Sequence, residues 1–297
     1  MDPSELLNAV FNFSDYGELL PLVRNSLIAG AVLGLVGGLI GVFVMMRDLA
    51  FAVHGIAELS FAGAAFALLI GANVVFGSLI GSVIAAVVLG VLGMRARDRN
   101  SITGVIMSFG LGLGILFLSL YQGRSANKFG LLTGQIVSVD TVQLNLLAAG
   151  SAVVVLGLLA IWRPLTFASA DPDLAEARGV PVGALAIVFM FLLGLAVALS
   201  IQVVGALLVL SLVITPAAAA LRVSSSPRVV VLLSVLFAVS ATLGGILLAL
   251  GGSLPISPYV TTISFLIYVV CRLAGARRQR SGRVGRRTAA AVKVSAS

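Results

Sequence analysis

The sequence predicts an all-α, polytopic helical membrane protein of about eight or nine transmembrane helices, with one further short helix on the cytoplasmic side. Three observations predict it. The chain is 60% hydrophobic and only 10% charged, where soluble domains carry about 25% charged residues. Its mean hydropathy is +1.16, and several apolar runs approach or exceed the ~20 residues that cross a bilayer. Those runs do not alternate polar and apolar residues, as the strands of a transmembrane barrel would.

Taken in order, the runs read as spans over 23–46, 49–70, 74–93, 102–120, 143–161, 184–200, 203–221, 229–250 and 258–273. The run 203–221 is short and holds Pro216 in VITPAAAA. Proline removes a backbone donor and kinks or breaks a helix. Gly205 and Pro216 bracket a weakened segment. A broken helix lining a path and a merely bent helix both fit, so eight and nine spans both stand. The second run holds the chain's single histidine, His54, and also Glu58.

The ends and loops set domain limits and orientation. Residues 1–22 carry Asp2, Glu5, Asp15 and Glu18, unlike the basic start of a signal peptide, and read as an extracytoplasmic N-terminal segment. Residues 23–273 form the transmembrane domain. Residues 274–297 form a basic cytoplasmic tail, read as disordered. The net charge of +8 is concentrated there, with eight basic residues from Arg272 to Lys293. Arg95, Arg97 and Arg99, Arg163 and Arg178, and Arg222 and Arg228 fall on the same side as the tail if every run crosses. Lysine and arginine favour the cytoplasm, so the tail marks sidedness and attraction to anionic lipid, not nucleic-acid binding. Arg124 and Lys128 fall in a polar, Gly-rich outer loop, 121–142.

Small residues recur at helical spacing. Gly30, Gly34 and Gly38, the offset pair Gly37/Gly41, and Gly77/Gly81 give G-x-x-x-G patterns, and Gly110, Gly112 and Gly114 crowd the fourth span. Such spacing lets helices approach closely in lipid, within the chain or across a dimer. The single cysteine, Cys271, rules out an internal disulfide and a Cys-based metal cluster. The chain lacks a G-x-x-x-x-G-K-[ST] phosphate loop, an H-E-x-x-H and a G-x-S-x-G. It therefore reads as a non-catalytic membrane component with no permanently bound cofactor.

Two stretches carry chemistry. In 47–61, RDLAFAVHGIAELSF, His54 and Glu58 are four residues apart and share one helical face. Ionisable groups inside a span mark ion paths by default. Imidazole nitrogen and carboxylate oxygen suit Zn²⁺, Mn²⁺ or Fe²⁺. One chain offers two ligands, and a two-fold homodimer would offer four. The alternative is that His54 and Glu58 only pair with each other. In 163–183, RPLTFASADPDLAEARGVPVG, Asp171 precedes Pro172, which suits a helix N-cap followed by proline in the first turn. A short amphipathic helix over 173–178 should end at Gly179. Such a helix fits a groove on a partner, and a solvated surface turn fits as well.

Over roughly 20–273 the chain resembles the zinc/manganese-type family of bacterial ABC transporter permeases. Three stretches carry the resemblance: the arginine-led opening of the second span (47–63), DPDLAEARGVPVG (171–183), and VVGALLVLSLVITPAAAALR (203–222). The family typically places an aspartate, and a histidine four residues later, in its second span as the metal-passage site. Aligned from Arg47, those positions hold His54 and Glu58, with the order reversed and glutamate in place of aspartate, and of the further polar residues that usually follow in the family only Ser60 is present. Asp171, Ala175 and Gly179 fall on the family's ATPase-coupling segment, which makes the short helix a coupling helix. Asp98 falls where the family often has an acid before the fourth span.

The resemblance implies the transmembrane permease of an ABC importer for a divalent transition metal ion, zinc, manganese or iron. It implies a multi-pass protein of the bacterial cell membrane that works as a homodimer. Its partners would be a separate ATP-binding subunit and an extracytoplasmic metal-binding protein. The alternatives are a permease for a metal chelate such as a siderophore, a stand-alone secondary metal carrier, and a membrane scaffold with no path.

Overall fold

A computed structural model describes residues 17, 20–93, 99–123, 130–131, 139–206, 208–251 and 255–295. After a 3₁₀ turn, Leu20–Val23, the helices are α1 (Arg24–Met46), α2 (Ala50–Leu69), α3 (Val74–Gly93), α4 (Arg99–Leu120), α5 (Thr141–Ala170), α6 (Pro172–Ala177), α7 (Val182–Val204), α8 (Val209–Val223), α9 (Pro227–Leu250) and α10 (Ile256–Ser295). No strand occurs among the described residues. Eight helices are long and apolar enough to cross a membrane, α10 through its segment Ile256–Ala276. The protein is a multi-pass helical membrane protein.

These helices are apolar on every face, so contact between them is decided by where small residues let backbones meet. Gly34 and Gly38 of α1 lie against the backbone of Val239 and Val235 in α9. The contact is tied by Ser234 Oγ donating to Gly38 O at 2.8 Å and Thr242 Oγ1 donating to Gly30 O at 3.0 Å. Gly37 and Gly41 of the same helix face Leu212, Val213 and Ala217 of α8. The two offset glycine rows of α1 thus serve two neighbours, α9 antiparallel and α8 parallel. Gly77 and Gly81 of α3 meet Gly63, Leu59 and Ser60 of α2. All these motifs are used inside one chain.

The registers alternate along the chain. Gly150 and Gly157 of α5 face Leu199 and Leu192 of α7, Gly90 of α3 faces Met190 of α7, and Gly275 of α10 approaches the carbonyl of Arg222. Arg47, Arg163, Arg178, Arg222, Arg228 and Arg272 therefore gather at one end of the bundle, which lysine and arginine counting assigns to the cytoplasm. Arg95, Arg97, Asp98, Arg124 and Lys128 lie outside the described residues. The core sits where α1, α2 and α7 meet, around Ile40, Phe43, Val53, Phe61, Phe189 and Leu193.

Three helix limits differ from the sequence expectation, the last of them in α10, which runs on past residue 273 to Ser295. α5 continues to Ala170, well beyond residue 161, and passes through Pro164. Around the proline two hydroxyls bond back along the helix, Thr166 Oγ1 donating to Trp162 O at 2.7 Å and Ser169 Oγ donating to Leu165 O at 2.6 Å, contacts that often bend a helix. α8 has only 15 residues, about 22 Å of helix against a hydrocarbon core of about 30 Å. The helix is interrupted ahead of it, at Gly205 and Ala206. Gly205 has φ 85° and ψ 157°, Leu208 N donates to Gly205 O at 3.3 Å, and Ala206 N donates to Leu131 O at 3.3 Å. Irregular backbone at this depth is tolerable only when protein surrounds it, and Val204, Gly205, Ala206 and Leu208 are all buried. Pro216 lies inside α8, which is helical on both sides of it.

Candidate functional site

α2 starts from a tight reversal. Arg47 N donates to Phe43 O at 3.0 Å and Leu49 N donates to Val44 O at 2.9 Å, closing the end of α1. Asp48 sits in the left-handed region at φ 54°, a conformation that short polar side chains accept more readily than most. Helix begins again at Ala50, which puts His54 and Glu58 about 6 and 12 Å along the axis from the cytoplasmic end.

His54 Nε2 stands 3.6 Å from Glu58 Oε1, with 32% of the His54 side chain exposed and 8% of the Glu58 side chain. That spacing is longer than the 2.7–3.2 Å of a good hydrogen bond. The other imidazole nitrogen, Nδ1, is buried with no hydrogen-bond partner. The two groups are thus neighbours without satisfying each other. Among the described residues no three His, Cys, Asp or Glu side chains converge. One chain supplies two candidate ligands, fewer than the four of a closed zinc site.

The turn that carries Glu58 is held from behind. Gly110 of α4 lies against the backbone of Glu58 and Leu59, Gly114 against the ring of Phe61, and Gly81 of α3 against Leu59 and Ser60. Ser60 is fully buried, with its Oγ 2.8 Å from Ser78 Oγ and donating to Ser78 O at 2.9 Å. Ser78 Oγ in turn donates to Ala198 O of α7 at 3.4 Å. Ser60 therefore ties α2 to α3, and through Ser78 to α7.

At the cytoplasmic end Asp171 caps α6, its Oδ1 accepting from Leu174 N at 3.0 Å, with Pro172 in the first turn. The helix closes through Val180 N donating to Ala175 O at 3.0 Å and Gly179 N donating to Glu176 O at 2.9 Å, with Gly179 at φ 81°. Ala175 is fully buried, packed with Ala168 of α5 and Leu185 of α7. Leu174, Asp173 and Glu176 are exposed. A small side chain fastens the helix by one edge and leaves the other edge free. Cys271 is buried and free.

A cavity of about 640 Å³ opens beside α6, lined among others by Arg47, Asp48, Leu89, Thr103, Glu176 and Phe189. No sequence motif marks it, because its walls come from seven helices, α1 to α7, and the α1–α2 turn. Its one legible signal was Arg47, a charge at the mouth of an apolar helix.

Residues 20–274 match the family model described as the ABC 3 transport family. The chain belongs to the ABC 3 transport family. Membership makes it a transport permease subunit, and a permease of this kind works with an ATPase and a substrate-binding protein. This ABC 3 family chain is 30% identical over 225 residues to the manganese transport system membrane protein MntC of Listeria monocytogenes, covering 75% of this chain and 80% of that one. It is 25% identical over 253 residues to the high-affinity zinc uptake system membrane protein ZnuB of Haemophilus influenzae, covering 85% of this chain and 97% of that one. It shares its fold with PsaBC from Streptococcus pneumoniae, solved in complex with Fab. That likeness has a TM-score of 0.78 and 23% identity, and it covers 87% of this chain and 95% of that chain.

Proposed function

We propose that this chain is the membrane-spanning subunit of an ABC importer for a divalent transition metal ion, zinc, manganese or iron, in the bacterial cell membrane. Two copies form the conduit. A separate ATPase docks on α6, and an extracytoplasmic binding protein delivers the ion. The ion is substrate, and it passes between His54 and Glu58 of the two copies, which together offer two imidazoles and two carboxylates. The metal named for relatives such as MntC and ZnuB supports the cargo class.

One observation carries the reading. An acid and an imidazole share one helical face inside an apolar span, 3.6 Å apart, and the imidazole keeps a buried nitrogen unpartnered. Uncompensated polar groups inside a membrane are costly and mark ion pathways. Nitrogen and oxygen donors select borderline divalent ions over alkali cations. Hydrolysis of ATP belongs to the partner, whose closure moves α6 and alternates access. Asp171, Ala175 and Gly179 shape α6 for that contact, and the break at Gly205 with Pro216 lines or hinges the path.

The test is uptake of radioactive zinc and manganese by cells carrying His54→Ala with Glu58→Ala. Uptake falling to the background of a deletion strain, at normal protein level, is the expected result. Wild-type uptake would defeat the passage site. Transport in liposomes without any ATPase would replace the importer with a secondary carrier.

A further inference from the structure

The coupling helix and the metal-handling helix are separated by open space. The 640 Å³ cavity has Glu176 of α6 on one side and Met46, Arg47 and Asp48 of the α1–α2 turn on the other. A void transmits no displacement, whereas packed side chains do. The load from α6 must therefore reach α2 by another route, and α6 is fastened to α5 and α7 through Ala175, Ala168 and Leu185.

Where α5 and α7 meet α1, three rings cluster. Phe43 of α1 stands edge-on to Trp162 of α5, with centroids 4.8 Å apart and planes at 84°. It is 6.1 Å from Phe189 of α7, at 60°. Arg47 lies over the Phe189 ring, its Cζ 5.6 Å from the centroid. Phe189 is fully buried. Arg47 is also the residue from which the chain turns into α2, seven positions before His54.

We propose that Arg47 is a positioning residue that joins the α5–α6–α7 unit to α2 through the face of Phe189, with Phe43 and Trp162 as the packed support. The inference rests on the functional reading above, in which α6 receives the ATPase and α2 handles the ion. Movement of α7 carries the Phe189 ring, the ring carries the guanidinium, and the first turn of α2 follows. A planar guanidinium on an aromatic face holds orientation as well as distance, which an ammonium on a flexible stem does not.

The experiment reconstitutes the complete transporter, this chain with its ATPase and binding protein, in liposomes. ATP hydrolysis and manganese uptake are measured on the same vesicles. Phe189→Leu removes the ring face, and Arg47→Gln removes the charge while leaving the aromatic cluster in place. Both should retain the ATPase and its hydrolysis, while uptake per ATP falls about fivefold or more. Phe189→Tyr keeps the face and should keep a ratio near wild type. An unchanged ratio in Phe189→Leu and Arg47→Gln overturns the proposal. So does a parallel fall of hydrolysis and uptake in Phe189→Leu and Phe189→Tyr alike, which would make the contact simple packing. If Phe189→Leu does not insert, Arg47→Gln decides alone. A wild-type complex that hydrolyses ATP but moves no metal sinks the functional reading instead, and this proposal with it.

Discussion

Gly63 of α2 and Gly77 of α3 meet backbone to backbone: a methyl group on either would run into the other's carbonyl oxygen. No flexible side chain stands between them to give way. The contact lies five residues beyond Glu58 and fixes the helix that carries it.

Gly77→Ala should therefore push α2 from α3 and destabilise the protein by about 1–3 kcal/mol, the usual cost of overpacking. Gly112 of α4 is the control, because a Cβ there meets nothing within 4 Å. Gly112→Ala should be neutral or gain up to about 1 kcal/mol from helix propensity. Melting of the purified protein in detergent checks both. Equal effects at the two sites would show that helix propensity, not contact, decides.

Glu58 should cost stability in return for function. Its side chain is 8% exposed inside an apolar span, with the His54 imidazole 3.6 Å away. Replacing buried ionic groups by apolar ones of similar volume is often neutral or stabilising by about 1–4 kcal/mol. Glu58→Met should melt at or above the wild-type temperature and lose metal uptake by about tenfold or more. Glu58→Asp should keep part of the uptake, because it keeps the oxygen ligands. A sharp loss of melting temperature in Glu58→Met would assign the acid a structural task.

Much of this was legible in the chain because lipid simplifies the problem. Helices of membrane length and the shared side of Arg163, Arg178, Arg222 and Arg228 follow from hydropathy and charge alone. The cap at Asp171 and the stop at Gly179 are local signals and appear where local chemistry puts them. The glycine rows announced close packing, but not their partners, since Gly34 and Gly37 of one helix serve different neighbours. The end of α5 was hidden by Pro164, through which the helix runs on to Ala170. Ser60 looked like a remnant of a polar path and lies in a buried clasp with Ser78, a partner 18 residues away that no helical period reveals. The α1–α2 turn carried Arg47 in plain view, but its ring partners are distant in sequence.

Gly205 sits where an ordinary residue would be strained. Its φ of 85° and ψ of 157° belong to a region used almost only by glycine, and a side chain there costs about 1–3 kcal/mol. The flanking groups hold it in place: Ala206 N donates to Leu131 O, and Ser257 Oγ donates to Val204 O at 3.4 Å. Gly205→Ala should lower the melting temperature and uptake together. Ser257→Ala should produce a smaller loss, about 0.6 kcal/mol, as intramembrane hydrogen bonds average. An unchanged Gly205→Ala protein would mean that the backbone at Gly205 adopts another path.

Asp171 and Gly179 act at opposite ends of the same six-residue helix, and their variants should separate shape from charge. Asp171→Ala removes the acceptor for Leu174 N, and cap loss costs about 1 kcal/mol. In so short a helix that is enough to fray it, so ATPase co-purification should drop. Asp171→Ser restores a capping oxygen without the charge and should restore binding. Gly179→Ala places a Cβ at φ 81°, which costs about 1–2 kcal/mol; Gly179→Asn, which enters this region more readily, should cost less. Pull-down of the ATPase with each variant reads the series. If Asp171→Ser fails where Asp171→Asn also fails, the ATPase is reading the carboxylate itself and the helix shape is secondary; if Asp171→Ala binds at full strength, α6 is only a connector.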